Sequence, residues 1–242
     1  TRYETSLAHF HLSANTNGRR LTLSLPSTHV TVAVADQPHR HPVYTLTMLN
    51  IKKGTKDMKF LIHIIGYPGA GKYTVAKELT SNPNFKLFDN HTINNVLFCL
   101  TDISKTLPSF KDRYTNKLYK VAFKYFEKIN IQQNLVFTNF LTNQRDDRTY
   151  LKMIQRFANR AGFTYVPVIL SPDTNTLLSR VINPDRSAKL KLTNPQIAKQ
   201  IYNLELITVN HKNKIEIDNS KLSPKQTSQK IVEVLDTLCQ NK

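Results

Sequence analysis

Phe60-Leu-Ile-His-Ile-Ile65 runs without interruption into Gly66-Tyr-Pro-Gly-Ala-Gly-Lys-Tyr-Thr74. A short, almost continuous apolar run reads as a strand buried on both faces. The residues from Lys72 to about Thr80 read as a helix. Between them lies Gly-x-x-x-x-Gly-Lys, in the strand–loop–helix context that makes this pattern a phosphate-binding loop. Gly66, Gly69 and Gly71 admit backbone angles that other residues avoid, so Ala70 and its neighbours can turn successive N–H groups toward one anion. The helix aims its positive N-terminus at the same place, and Lys72 adds a mobile positive charge for the outer phosphates.

Working outward, strand and helix patterns alternate from Met58 to the C-terminus. Lys86–Phe88 reads as a second strand and Thr92–Leu100 as a helix. Leu118, Val121, Ala122, Tyr125, Phe126 and Ile129 recur at helical spacing, predicting a long amphipathic helix over Arg113–Gln132 with these residues, and Cys99 before them, in the core. Leu135–Phe137 is the next strand, followed by a helix that Asp146 caps and Gly162 ends. Thr164–Leu170 is a further strand. Ser171-Pro-Asp and Ser223-Pro-Lys-Gln each place a capping Ser before a Pro, the second with Gln226 completing a capping box. A helix beginning at Pro195 and a strand over Lys214–Ile217 complete the set. Strands separated by helices imply a mostly five-stranded parallel sheet covered on both faces, in a three-layer α/β domain over 58–242.

The composition narrows the classes. The chain has 242 residues, 40% of them apolar, which is enough for a substantial core and argues against wholesale disorder. Only two cysteines are present, so neither a disulfide framework nor a four-cysteine zinc site is available. No stretch approaches the ~18 apolar residues of a membrane span, so no membrane partner and a cytoplasmic location are expected. Thirty-four Lys and Arg against 17 Asp and Glu leave a net charge of +17, which favours an anionic partner such as a nucleotide or nucleic acid. The excess lies mainly in residues 58–242, with 27 basic and 14 acidic residues.

Residues 1–57 read differently. They hold five of the eight histidines, and alternation in Leu21–Leu25 and His29–Val34 predicts short strands, with a hairpin turning near Pro26-Ser27. This acid-poor segment is expected to be a poorly structured extension. One reading is that translation naturally starts at Met58. His29, His39 and His41 lack the carboxylate or cysteine partners a metal site would need.

At every fixed position, Pro68 included, the loop resembles the Gly-x-Pro-Gly-x-Gly-Lys-x-Thr pattern of the small P-loop kinases: the adenylate and other nucleoside monophosphate kinases, shikimate kinase and the chloramphenicol phosphotransferases. The chain is also similar to bacterial proteins labelled as AAA-family ATPases that carry such a loop and a later Asp-Asn-His segment. The resemblance implies ATP and magnesium, with Gly66, Gly69, Ala70, Gly71, Lys72, Tyr73 and Thr74 around the phosphates. Tyr73 stands where many phosphate loops have Ser or Thr, so Thr74 becomes the hydroxyl candidate for the metal.

Asp89-Asn90-His91 follows the second strand, at the end of the sheet where open α/β folds bind ligands. In the kinases it resembles, an acid there faces the acceptor hydroxyl or the metal, so Asp89 is a candidate base and metal ligand, with His91 second. Asp89 or Asn90 could alternatively cap the next helix. The third strand ends in Thr138, Asn139 and Phe140, where many relatives carry the acid that orients magnesium. Arg180 ends the helix after the fourth strand, and Arg186, Lys189 and Lys191 follow in a loop over about 181–194. The kinases this chain resembles use such a lid to bring arginines onto the transferring phosphoryl group and neutralise its charge. Arg145 and Arg148 are weaker candidates on the acceptor side. Asn219, after the last strand, would lie near the base. The leading expectation is transfer of the ATP γ-phosphate to a small molecule. A nucleotide-binding regulator or weak ATPase is the alternative, and a kinase of nucleic-acid ends is a second.

Overall fold

The computed structural model describes residues 12–14, 20–25, 28–33, 58–99, 108–183 and 192–240. The chain divides into two units, Thr1–Lys56 and Asp57–Lys242. In the first, β1 (Leu12–Ala14), β2 (Arg20–Leu25) and β3 (Thr28–Ala33) form an antiparallel sheet in that order. Leu25 pairs with Thr28, so two residues join β2 to β3. His39 and His41 lie outside the described residues.

The second unit is a five-stranded, all-parallel sheet. It comprises β4 (Phe60–Ile65), β5 (Phe85–Asp89), β6 (Asn134–Asn139), β7 (Thr164–Leu170) and β8 (Ile215–Ile217), in the order β5-β6-β4-β7-β8. The helices are α1 (Lys72–Leu79), α2 (Asn90–Phe98), α3 (Pro108–Lys128), α4 (Arg145–Arg160), α5 (Thr174–Val181), α6 (Pro195–Tyr202) and α7 (Pro224–Gln240). Because side chains alternate along a strand, β4 feeds two cores. Phe60, Ile62 and Ile64 join Val136, Val166, Val168 and Leu170 under α1 and α7. Leu61 and Ile65 join Phe137, Tyr165 and Ile169 under α3 and α4. The helices that follow β4 and β6 therefore cover opposite faces, and the crevice beyond the carboxyl ends of these neighbouring strands is the switch point of the sheet.

Local chemistry accounts for most boundaries. Ser223 and Gln226 exchange backbone-to-side-chain hydrogen bonds of 2.9 and 3.1 Å, the expected capping box. Two other caps differ from expectation. Asp173, not Ser171, caps α5 by accepting from Thr176 N at 2.8 Å, because a carboxylate two residues further on reaches the first-turn amides directly. Gln144 occupies the cap position of α4, and it is Asp147 in the first turn that binds back, to Thr142 N and Oγ1 at 2.7 and 2.6 Å. The buried seam of α3 is also rotated from the predicted one. Tyr119 and Phe123 are buried, whereas Val121 and Tyr125 are 67% and 59% exposed, and Cys99 is exposed as well. Two apolar stripes run along α3, and the sheet takes the more aromatic one. No described helix is long and apolar enough to cross a membrane.

Candidate functional site

The loop between β4 and α1 is held in its shape from three sides. Gly69 and Gly71 have φ of +92° and +85°, left-handed values that side-chain-bearing residues rarely adopt. A Cβ on Gly69 would also lie 2.6 Å from the Leu177 carbonyl oxygen of α5, so both conformation and packing require glycine there. Gly66 N donates to Asn139 O at 3.3 Å, tying the loop to the end of β6. Tyr202 of α6 donates its hydroxyl to Pro68 O at 2.8 Å, and Tyr67 donates to Leu204 O at 2.6 Å. The two tyrosine rings meet edge to face, 5.4 Å apart. Tyr67 and Tyr202 escape a sequence reading because nothing in their spacing says that they meet.

Gly71 caps α1 without any side-chain hydrogen bond, so the first-turn N–H groups of α1 face the loop's concavity. Lys72 Nζ donates to Gly66 O and Tyr67 O at 2.8 and 2.9 Å and thus lies curled over the loop. Two residues from distant elements join it. Asn219, 3% exposed, donates its Nδ2 to Ala70 O at 2.9 Å, and its Oδ1 is buried without a hydrogen-bond partner among the described residues. Arg180 donates to Asn219 O at 3.0 Å. A Cβ on Gly71 would meet Asn219 Nδ2 at 3.6 Å and Arg180 Nη1 at 3.9 Å, so both nitrogens overlook the cradle. Lys72, Asn219 and Arg180 thus converge around Ala70 and Gly71. The donors of Lys72 and Arg180 match the acceptor-only chemistry of nucleotide phosphates, whereas the remaining atom of Asn219, Oδ1, is an acceptor.

Asp89 and Thr138 are register partners at the ends of β5 and β6, and Thr138 Oγ1 donates to the Asp89 carboxylate. Asp89 occupies the N-cap position of α2, yet its side chain makes no cap bond. Its carboxylate is therefore not spent on starting the helix. Asn139, one residue beyond Thr138, points to the opposite face and enters a buried polar chain. Its Oδ1 lies 2.9 Å from His63 Nε2, while Tyr165 Oη lies 2.8 Å from His63 Nδ1. Burial holds the His63 pKa down to about 4, so the ring is neutral at pH 7. An amide oxygen only accepts, so Nε2 carries the proton and Nδ1 accepts from Tyr165. Tyr150 is buried beside Asn139 and meets the Tyr119 ring at 4.6 Å between centroids, and Tyr119 donates to Asn90 O at 3.2 Å. Burial raises both tyrosines, Tyr119 to about 12 and Tyr150 well above its ordinary value, so they remain protonated donors. The chain runs from β7 through β4, β6, α4 and α3 to the residue after Asp89.

The described residues contain no cluster of three or more His, Cys, Asp or Glu able to hold a metal. Magnesium bound with a nucleotide needs only one or two protein oxygens beside the phosphates. Thr74, exposed on α1, and Asp89 are the oxygen donors here that fit such a role. Arg148 is engaged with Asn143 O at 2.8 Å on the surface, and Arg145 is exposed. Arg186, Lys189 and Lys191, with most of the expected lid, lie outside the described residues.

No protein-family model matches the chain. An 83-residue stretch is 32% identical to the ribosomal RNA processing protein 1 homolog of Dictyostelium discoideum, covering 34% of this chain and 17% of that protein's length. Solved structures resemble it over much more of its length. A candidate kinase from Chloroflexus aurantiacus superposes with a TM-score of 0.50 at 16% identity, over 74% of this chain and 98% of that one. A gluconokinase from Sinorhizobium meliloti gives 0.49 at 11% identity, over 76% and 95%. Shikimate kinase from Aquifex aeolicus gives 0.46 at 16%, over 76% and 100%. The fold is the three-layer fold of the small P-loop kinases.

Proposed function

We propose that residues 58–242 form an ATP-dependent phosphotransferase that moves the γ-phosphate of Mg·ATP onto a hydroxyl of a small molecule. The observation that carries this reading is the convergence of Lys72, Arg180 and Asn219 on the phosphate loop, with Asp89 standing uncommitted to helix capping at the end of β5.

In this reading the loop amides and the N-terminus of α1 hold the phosphates, and Lys72 leaves the carbonyls of Gly66 and Tyr67 for the outer ones. Arg180 neutralises charge that builds on the transferring group, a task suited to its forked guanidinium. Asn219 offers its unpartnered Oδ1 to a donor on the nucleotide. Asp89, steadied by Thr138, accepts the proton of the acceptor hydroxyl. That oxygen bonds to the γ-phosphorus while the bond to the β–γ bridging oxygen breaks, leaving ADP. Magnesium, held through Thr74 and Asp89, supplies charge neutralisation when bound.

The test follows the label of γ-labelled Mg·ATP in a metabolite extract, with wild type and Lys72→Ala. Transfer to an organic acceptor by wild type alone is the expected result. Label released only as inorganic phosphate would replace the reading with a hydrolase or nucleotide-dependent regulator. Equal transfer by Lys72→Ala would remove the site assignment altogether.

A further inference from the structure

The basic excess of residues 58–242 is unevenly shared between the two helical layers. On α1 and α7 the exposed charges cancel, with Lys77, Lys225 and Lys230 against Glu78, Glu233 and Asp236. On the opposite layer they do not. Arg113, Lys117, Lys120, Lys124 and Lys128 are all exposed along α3. Arg145, Arg148, Lys152, Arg156 and Arg160 are all exposed along α4. Among the described side chains of these two helices the acids are Glu127, Asp146 and Asp147. Arg160 already engages Glu127 at 2.7 Å, and Thr142 N and Oγ1 engage Asp147. A general bias of the chain toward lysine would load both layers alike, so the placement itself calls for a partner.

The two basic rows are neighbours. Tyr119 meets Tyr150, Phe123 meets Phe157 and Glu127 meets Arg160, so α3 and α4 lie side by side and run in the same direction. Lys124, Lys120, Lys117 and Arg113 stand three, seven, ten and fourteen residues before Glu127, spacings that keep them on the flank of α3 turned to α4. Arg145, Arg148, Lys152 and Arg156 recur every three or four residues on α4, opposite its buried Ile154 and Phe157. From first to last cation each row spans about 22 Å at the helical rise of about 1.5 Å per residue. Packed helix axes lie about 8–10 Å apart, so the rows make one continuous strip. Thr149 and Asn159 are the other exposed residues on this side of α4, and neither is apolar. The exposed Val121 and Tyr125 of α3 stand six and two residues before Glu127, which turns them to the flank away from α4.

We propose that the outer face of α3 and α4 binds the phosphodiester backbone of a nucleic acid without reading its bases. A duplex carries one negative charge per about 1.7 Å of its axis, so a double row of cations meets several phosphates at once and releases their counterions. Arg113, Arg145 and Arg156 add forked donors suited to phosphate oxygens. Docking on a lipid surface uses apolar side chains beside the cations, and the strip on α4 presents none. Base readout uses side chains in a groove or aromatic platforms for stacking, and the α4 row offers only long cations. The proposal is independent of the phosphotransfer reading, because it concerns the opposite layer from α1.

The test measures binding of the full chain to labelled duplexes of about 20 base pairs, RNA and DNA, by fluorescence anisotropy across a salt series. At least one duplex is expected to bind whatever its sequence, with affinity falling steeply as salt rises. Which duplex prevails separates RNA from DNA as the source of the backbone. Lys152→Gln/Arg156→Gln should weaken binding about tenfold at low salt and lower the slope of log affinity against log salt by about two. Lys225→Gln/Lys230→Gln removes the same charge from α7 and should change affinity less than about twofold. Lys117→Gln/Lys124→Gln repeats the loss from the α3 row, with thermal unfolding of every variant as the control for folding. Absence of binding to both duplexes at low salt overturns the proposal, as does equal weakening by the α4 and α7 pairs. Equally tight binding of poly-L-glutamate of matched charge overturns it too. Capture by phosphatidylserine vesicles in place of the duplexes would assign the face to a membrane and likewise overturn it.

Discussion

Toward α1 and α7, β4 presents Phe60, Ile62 and Ile64 to a layer of valines, leucines and isoleucines. Toward α3 and α4 the same strand presents Leu61, His63 and Ile65 to aromatic rings. There Phe123 and Phe157 stack at 4.8 Å, Phe137 lies parallel to both, and Tyr119, Tyr150 and Tyr165 carry the polar chain. The aliphatic side of β4 packs by shape against other aliphatic side chains and tolerates small adjustments. The aromatic side must satisfy every buried donor and acceptor, and its chain ends on the backbone beside Asp89. One face holds the sheet together, while the other also sets the position of a candidate catalytic group.

Four substitutions break or sharpen this contrast. Phe157→Ala should cost the most, about 3–5 kcal/mol in urea unfolding, because it empties a site at the centre of the stacked rings. A loss below 1 kcal/mol would mean that the aromatic face is not the tightly packed one.

Second comes the pH dependence of stability. The His63 ring titrates near 6.5 when unfolded and near 4 when folded, so between these values the unfolded chain binds more protons. Stability from this residue is complete above pH 6.5 and declines as pH falls toward 4, by about 3 kcal/mol in all. His63→Gln, which keeps a donor for Asn139, should lack that part of the curve. Superimposable pH profiles for the two proteins would contradict the neutral buried ring.

Third, Tyr165→Phe removes the first donor of the chain and leaves His63 Nδ1 unpaired, an expected loss of about 1–3 kcal/mol. If the chain positions the β5–α2 turn, the proposed transfer should also slow, with ATP affinity unaltered. Last, Ile64→Val on the aliphatic face should cost only about 0.5–1.5 kcal/mol and leave transfer kinetics untouched. Equal kinetic effects of these last two variants would erase the functional distinction between the faces.

The order and type of the elements were largely legible in the sequence, because burial on two faces writes itself as apolar runs and helical stripes. The exceptions have local causes. In α3, Val121 and Tyr125 form a stripe as apolar as the buried one, so spacing could not choose between the two. At α5 a Ser and an Asp two residues apart were both competent caps. In the site, Lys72 and the glycines were legible at once, and Asp89 by its place after a strand. His63 looked like a blemish in an apolar run until Tyr165 and Asn139 were seen on either side of it.

What the sequence determined by itself is the candidate phosphate loop, because it lies in one contiguous piece. A Gly-rich turn meeting a helix start is suited to an anion, and that pattern needs only Gly66 to Thr74 to be recognised. Only the tertiary structure decided the rest. Asn219 reaches Ala70 across 149 residues, His63 meets Tyr165 across 102, and Asp89 meets Thr138 across 49. Side chains so far apart leave no periodicity to read, and their meeting depends on the order in which the parallel strands assemble.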